Sequence, residues 1–189
     1  MSFVHSFITV LLAGHLLIHR FDNQWWKRSN DSLPMHVVLV SFSASYFLID
    51  TVFVLSEIGY VVHHGVSLLC FAISSFSGKF IELVIFHLFF AEIGNVAFIA
   101  EHVLYKDGAW GVYVTTWFTL TRILWFVGIV RYQWHPMLFS KEFPRPLRFV
   151  HVITFLPSLL LSMGSLTYAF MFLRHELGYG HAGYVVVQD

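Results

Sequence analysis

Long apolar runs separated by short polar connections dominate the chain. A helix needs about 20 mostly apolar residues to cross the hydrocarbon core of a bilayer. The runs lack the strict alternation of apolar and polar residues that is typical of outer-membrane strands. The pattern therefore predicts an all-α fold, a polytopic transmembrane helical bundle of about six spanning helices in a single domain covering residues 1–189. The predicted spans are residues 3–18, 35–55, 60–77, 80–104, 110–130 and 149–173.

The composition strengthens the membrane interpretation. Hydrophobic residues make up 57% of the chain and charged residues only 12%, whereas soluble domains carry about 25% charged residues. The 11 basic and 11 acidic side chains cancel, so no net field attracts nucleic acid. A lone cysteine, Cys70, excludes an internal disulfide and a zinc-ribbon framework. We therefore expect a multi-pass integral membrane protein whose partners are membrane lipids and not nucleic acids.

Several ionisable residues interrupt the predicted spans. Each costs about 2.5–3.5 kcal/mol at the centre of a spanning helix, so intramembrane charges indicate function or specific pairing. Because these residues fall on four different spans, we expect them to converge on one polar interior. The candidates are Asp50, His63, His64, Glu92 and Arg122, with Asn95, His87 and His102 in support.

The adjacent pair His63 and His64 is the sharpest local feature. Neighbouring helical residues point about 100° apart, so the two rings cannot face one ligand equally. One imidazole could act as a base or nucleophile while the other hydrogen-bonds to a neighbouring helix. The alternative is that both rings lie at an interfacial helix end and only contribute to packing.

The other candidates have similar alternatives. Glu92, Asn95 and His102 share one face of the fourth span. On that face Glu92 could orient an imidazole, or it could form a structural bridge with Arg122. Asp50 could neutralise a histidine of the adjacent pair, or it could lie near the membrane surface if its helix ends early.

Read in order, these residues resemble the TLC family of membrane proteins, which includes the ceramide synthases. The resemblance covers most of the chain. It depends on the order and spacing of the ionisable residues more than on the histidine pair alone. The segments that carry it are Ser45–Asp50, Val61–Gly65, Ala91–Asn95 and Thr121–Ile123.

The resemblance implies a helical bundle around a lipid-facing cavity in the endoplasmic reticulum or another endomembrane. In ceramide synthases the histidine pair is tied to acyl transfer from acyl-CoA onto a sphingoid base. The synthases also carry two aspartates three residues apart, and the matching positions here are Glu92 and Asn95. Because Asn95 supplies no charge, the resemblance favours the branch outside the ceramide synthases, whose members influence membrane lipid composition.

Two functions follow from this resemblance. The first is lipid binding or regulation of phospholipid and sphingolipid composition. The second is a ceramide-synthase-like N-acyltransferase, with acyl-CoA as its co-substrate and no resident cofactor. If the protein is an enzyme, the expected catalytic residues are His63, His64, Asp50 and Glu92, and the expected substrate-binding residues are Asn95, Arg122 and His102.

Metal chemistry and transport rank lower. No metal ligands are assigned, because a metal-dependent lipid oxidase needs several closely spaced histidine or carboxylate ligands. The adjacent pair His63 and His64 lacks such flanking ligands. A channel or transporter is less favoured still, since the sequence shows no inverted repeat.

Overall fold

A computed structural model describes residues 3–20, 34–77, 80–104 and 108–178 of the 189-residue chain. Side chains are described over the same ranges except at positions 20, 34, 77, 97–104, 108–111 and 176. Within these ranges the chain forms helices joined by short connections, with no strand. The long helices are α1 (Phe3–Arg20), α2 (Pro34–Phe53), α3 (Ile58–Ser77), α4 (Ile81–Leu104), α5 (Gly108–Gly128) and α7 (Arg145–Glu176). A π-helical turn (Ile129–Trp134) and the short helix α6 (His135–Phe139) continue directly from α5.

The all-helical prediction is confirmed, and four segments are long and apolar enough to cross a membrane. The apolar part of α1, Phe3–His19, is shorter, and α4 is not among the four. The prediction of about six spans is therefore supported for four of the helices. The four segments are Met35–Phe53, Ile58–Phe76, Val112–Phe139 and Arg145–His175.

Two helical segments extend beyond the predicted spans. The predicted fifth span ends at residue 130, whereas the helical path runs on to Phe139. Arg131 and Tyr132 lie on the exposed side of this path, so a charged residue there does not require the helix to stop. The last long helix likewise begins at Arg145, four residues before the predicted start.

Helix α4 lies at the centre of the bundle. It contacts α1, α2, α3 and α5, and α7 packs against α3 and α5. The first turns of α4 are almost wholly buried, from Ile81 to Phe86 and again at Leu88. Large apolar side chains such as Leu48, Leu160 and Met171 are exposed on the outside of the bundle. An apolar exterior of this kind suits a protein surrounded by lipid.

Close packing of α5 against α4 depends on Gly128. A Cβ atom at this position would lie 2.3 Å from Cζ of Phe86. Phe86 is itself buried and packs against Phe90, with ring centroids 4.8 Å apart. The ring therefore has little room to move away, and the glycine allows the two helices to approach.

We expect Gly128→Ala to lower the stability of the purified protein in detergent by roughly 1–3 kcal/mol, because the added methyl group overpacks the contact with Phe86. Thermal unfolding followed by circular dichroism would measure the change. Gly164→Ala is the matched control, since nothing lies within 4 Å of a Cβ atom there. Phe86→Leu should recover part of the loss in the double variant. Equal melting temperatures for the two single variants would contradict this account.

Candidate functional site

Arg122 of α5 reaches across to α4 and is held there by several groups. Its Nη1 donates to the backbone carbonyls of Phe90 at 3.0 Å and Ala91 at 3.1 Å. Its Nη2 donates to Oδ1 of Asn95 at 3.0 Å. The guanidinium carbon also lies 4.3 Å from the centre of the Phe118 ring. Arg122 is only 4% exposed, so these contacts replace the water that a buried cation loses.

Gly94 makes this reach across the helix interface sterically feasible. A Cβ atom on Gly94 would lie 2.8 Å from Oγ1 of Thr121 and 3.2 Å from Nη2 of Arg122. The glycine therefore lets α5 approach α4 closely enough for the guanidinium to meet carbonyls on α4. Gly94 lies within Ala91–Asn95, one of the segments that carry the family resemblance in the sequence.

Glu92 is buried on the same part of α4 and accepts two hydrogen bonds. Its Oε2 accepts from Oγ of Ser6 at 2.5 Å and from Nδ2 of Asn95 at 3.3 Å. Its Oε1 lies 3.9 Å from Nδ1 of His5. Asn95 therefore stands between Glu92 and Arg122, accepting from the cation and donating to the carboxylate. The suggested bridge between Glu92 and Arg122 is thus mediated by an amide in the described contacts.

The N-terminal helix joins this network through His5. The His5 ring stacks on Tyr46 of α2, with centroids 3.8 Å apart and planes within 10°. Its Nε2 lies 3.4 Å from Oγ of Ser43 and 3.3 Å from Oγ1 of Thr9. We call the group Ser6, Glu92, Asn95 and Arg122 the polar relay, and His5 connects it to α2.

His64 is fully buried against α2 and contacts Asp50. Its Nε2 lies 3.6 Å from Oδ2 of Asp50, and its Nδ1 lies 3.1 Å from Oγ1 of Thr51. The Thr51 hydroxyl donates its hydrogen to the carbonyl of Phe47, so its oxygen accepts from the Nδ1–H of His64. The unprotonated Nε2 of a neutral ring would then face a carboxylate. At 3.6 Å the Nε2–Oδ2 separation is beyond hydrogen-bond distance, so the pair is an electrostatic contact between α3 and α2.

His63 points elsewhere, as expected for its neighbouring position on the helix. It lines a cavity of about 480 Å³, counted with the open space at its mouth. The His63 ring nitrogens make no hydrogen bond with the described residues, and its ring contacts are with Phe47 and His64. The cavity lies between α3, α4, α5 and α7, and its wall includes Val66, Phe71, Val84, Leu88 and Phe155.

A second histidine in the cavity wall, His87, is fully engaged by hydrogen bonds. The indole Nε1 of Trp125 donates to its Nδ1 at 3.1 Å. Because Nδ1 accepts, the hydrogen of a neutral ring is on Nε2, which donates to Oε1 of Gln133 at 2.9 Å. Gln133 lies in the π-helical turn and is fully buried. The ring of His87 also stacks on Phe155 at 5.6 Å.

The structure places the predicted site residues in two groups of direct contacts. Asp50 contacts His64, as one of the sequence alternatives proposed, and Glu92, Asn95 and Arg122 meet in the polar relay. His63 faces the cavity beside His64, with ring centroids 5.7 Å apart. The side chain of His102 lies outside the described residues.

Sequence reasoning missed several partners of these residues. Ser6 and Thr51 are ordinary small polar residues of apolar helices, so nothing in the sequence distinguishes them from packing residues. Gln133 falls outside the predicted fifth span, and hydropathy gives no sign of the π-helical turn that buries it.

Comparisons of the chain with protein-family models, curated proteins and solved structures found no match.

We expect Asn95→Leu to lower the free energy of unfolding by about 1–3 kcal/mol, because Glu92 loses a donor and Arg122 loses an acceptor inside the bundle. Thermal unfolding in detergent would measure the loss. Thr116→Val is the control, since the Thr116 hydroxyl only donates to the carbonyl of Val112 on an exposed face. Asn95→Asp should also destabilise, because a carboxylate cannot donate to Glu92. An Asn95→Leu protein as stable as the control would show that the amide link is dispensable.

Proposed function

We propose that this protein binds the hydrocarbon chain of a membrane lipid in its cavity and acts in membrane lipid homeostasis. The observation that carries this proposal is the apolar cavity between α3, α4, α5 and α7, of which α3, α5 and α7 are long and apolar enough to cross a membrane, with one unengaged imidazole, that of His63, on its wall. A hydrocarbon chain is the ligand whose chemistry matches such walls.

We further propose that the protein is of the TLC type, outside the ceramide synthase branch, and works in the endoplasmic reticulum or a related membrane. The order of Asp50, His63, Glu92 and Arg122 along the chain supports this assignment. The contacts of Asn95 support the choice of branch. It donates to Glu92 and accepts from Arg122, and an ionised acid at this position could only accept.

A second candidate function is N-acyl transfer, and the position of His63 favours it. An imidazole with unengaged nitrogens beside a chain-binding cavity can act as a general base. In this reaction His63 would take a proton from the amine of a sphingoid base while the nitrogen attacks the thioester carbonyl of acyl-CoA. A carbon–nitrogen bond forms, the carbon–sulfur bond breaks, and coenzyme A leaves as the thiol after protonation. His64 and Asp50 would support the neighbouring helix contact without touching the substrate.

Substitution of each histidine separates ligand chemistry from stability. We expect His63→Ala to reduce lipid binding or turnover with little loss of thermal stability, because its ring has no described hydrogen-bond partner. His64→Ala should lower the thermal stability, because Asp50 and Thr51 lose their partner. His15→Ala, at an exposed position on α1, is the control for both.

Lipid mass spectrometry of membranes from cells expressing each form would provide the first readout. Incubation of the same membranes with acyl-CoA and a labelled sphingoid base would provide the second. Altered phospholipid or sphingolipid composition without labelled ceramide, lost in His63→Ala, supports the lipid-homeostasis role. Labelled ceramide formed by the unmodified protein and not by His63→Ala supports the acyltransferase. An unchanged lipid profile together with no labelled ceramide would contradict both functions.

A further inference from the structure

The polar side chains of the cavity wall direct their hydrogens back into the protein. The Ser67 hydroxyl donates to the backbone carbonyl of His63 at 2.9 Å. The Cys70 thiol donates to the carbonyl of Thr154 at 3.3 Å. The Ser158 hydroxyl donates to a carbonyl three residues earlier in its own helix, at 2.8 Å. None of these three groups has a hydrogen left to offer a ligand.

The two polar rings of the wall are engaged in the same way. Indole nitrogen is a donor only, and the single hydrogen of Trp125 Nε1 is used by His87. His87 in turn donates its ring hydrogen to the side-chain amide oxygen of Gln133. This series of hydrogen bonds, from Trp125 to His87 to Gln133, therefore ends at a side chain that does not line the cavity. His63 is left as the one lining side chain whose ring nitrogens are unengaged in the described contacts.

We infer, on the basis of the lipid-binding function proposed above, that the cavity accepts an unsubstituted hydrocarbon chain with its polar end at His63 and rejects a chain that carries a keto group. A keto oxygen is a pure hydrogen-bond acceptor, and beyond His63, whose ring meets the polar end of the ligand, it would be buried beside wall side chains without an available donor. An unmet buried acceptor of this kind weakens binding by roughly tenfold or more.

The cavity wall also sets the size of a suitable probe. Along α3 the lining runs from His63 to Phe71, a length of about 12 Å at the rise of an α-helix. An extended chain advances roughly 1.2 Å per bond, judged from the span of an extended backbone, so about ten carbons fill this length. Decanoic acid and 6-oxodecanoic acid therefore form a matched pair that differs in one oxygen near the middle of the cavity.

The test uses the full-length protein purified in detergent. A decanoic acid bearing a diazirine at its terminal carbon would be photo-crosslinked and mapped by mass spectrometry to peptides of α3, α4 and α7. Decanoic acid and 6-oxodecanoic acid would then compete for the crosslink. We expect the oxo acid to compete at least about tenfold less well than decanoic acid.

Three variants locate the origin of this preference. His87→Phe keeps an aromatic ring against Phe155 and frees the indole N–H of Trp125. The roughly tenfold difference in competition between the two acids, called the gap below, should therefore shrink. Leu161→Gln introduces a new donor on the opposite wall and should also shrink the gap, which covers the case in which His87→Phe does not fold. Ser162→Ala is the control. Its hydroxyl makes the same kind of bond to its own helix, to the carbonyl of Leu159, but does not line the cavity, so the gap should stay.

The outcomes separate this inference from the function on which it depends. Failure of the probe to label the cavity helices, or of decanoic acid to compete, would overturn the lipid-binding proposal itself. Equal competition by the two acids would overturn the inference and leave lipid binding intact. A gap that persists in both His87→Phe and Leu161→Gln would show that the preference does not arise from missing donors, and would also overturn the inference.

Discussion

Hydrogen bonding of buried polar groups is the constraint on which this structure depends. Lipid offers no partners to a polar group, so each one inside the bundle needs a partner from the protein. Arg122 needs the most hydrogen-bond acceptors, because its guanidinium stays charged and carries five N–H donors. Carbonyls of α4 and the amide of Asn95 accept most of them, and Asn95 passes the connection to Glu92 and then to Ser6 of α1. One cation thereby fixes the mutual positions of α5, α4 and α1.

The central helix presents the polar relay and the cavity wall on different faces. Glu92 and Asn95 point from α4 toward α1 and α5, whereas Val84, His87 and Leu88 form part of the cavity wall. Ala91 lies at the border, since its carbonyl accepts from Arg122 while the residue itself lines the cavity. Arg122 also touches the wall, because its guanidinium carbon lies 5.4 Å from the centre of the Trp125 ring. The cation that joins the helices therefore lies directly behind one aromatic side chain of the cavity.

The helices themselves could be predicted from the sequence, because an apolar segment in a bilayer satisfies its backbone hydrogen bonds internally by forming a helix. The face shared by Glu92 and Asn95 also follows from helical periodicity alone. The link between Glu92 and Arg122 through Asn95 does not, because it depends on how closely α5 approaches α4, and Gly94 sets that distance. The hydrogen bonds of His87 were equally hidden, since they require Gln133 to be brought inward by a change of helical type that hydropathy does not reveal.

That change of helical type has a consequence for how the chain tolerates insertions and deletions. A π-helical turn holds one more residue than the α-helical turn it replaces, and each added residue turns the following helix by about 100°. In α6 the buried Pro136 and Met137 lie between the exposed His135 and Leu138. Loss of one residue between 129 and 134 can be taken up by a return to an α-helical turn, which leaves Pro136 and Met137 on their buried side. Gain of one residue has no such compensation and turns α6 by about 100°. The segment therefore tolerates shortening better than lengthening.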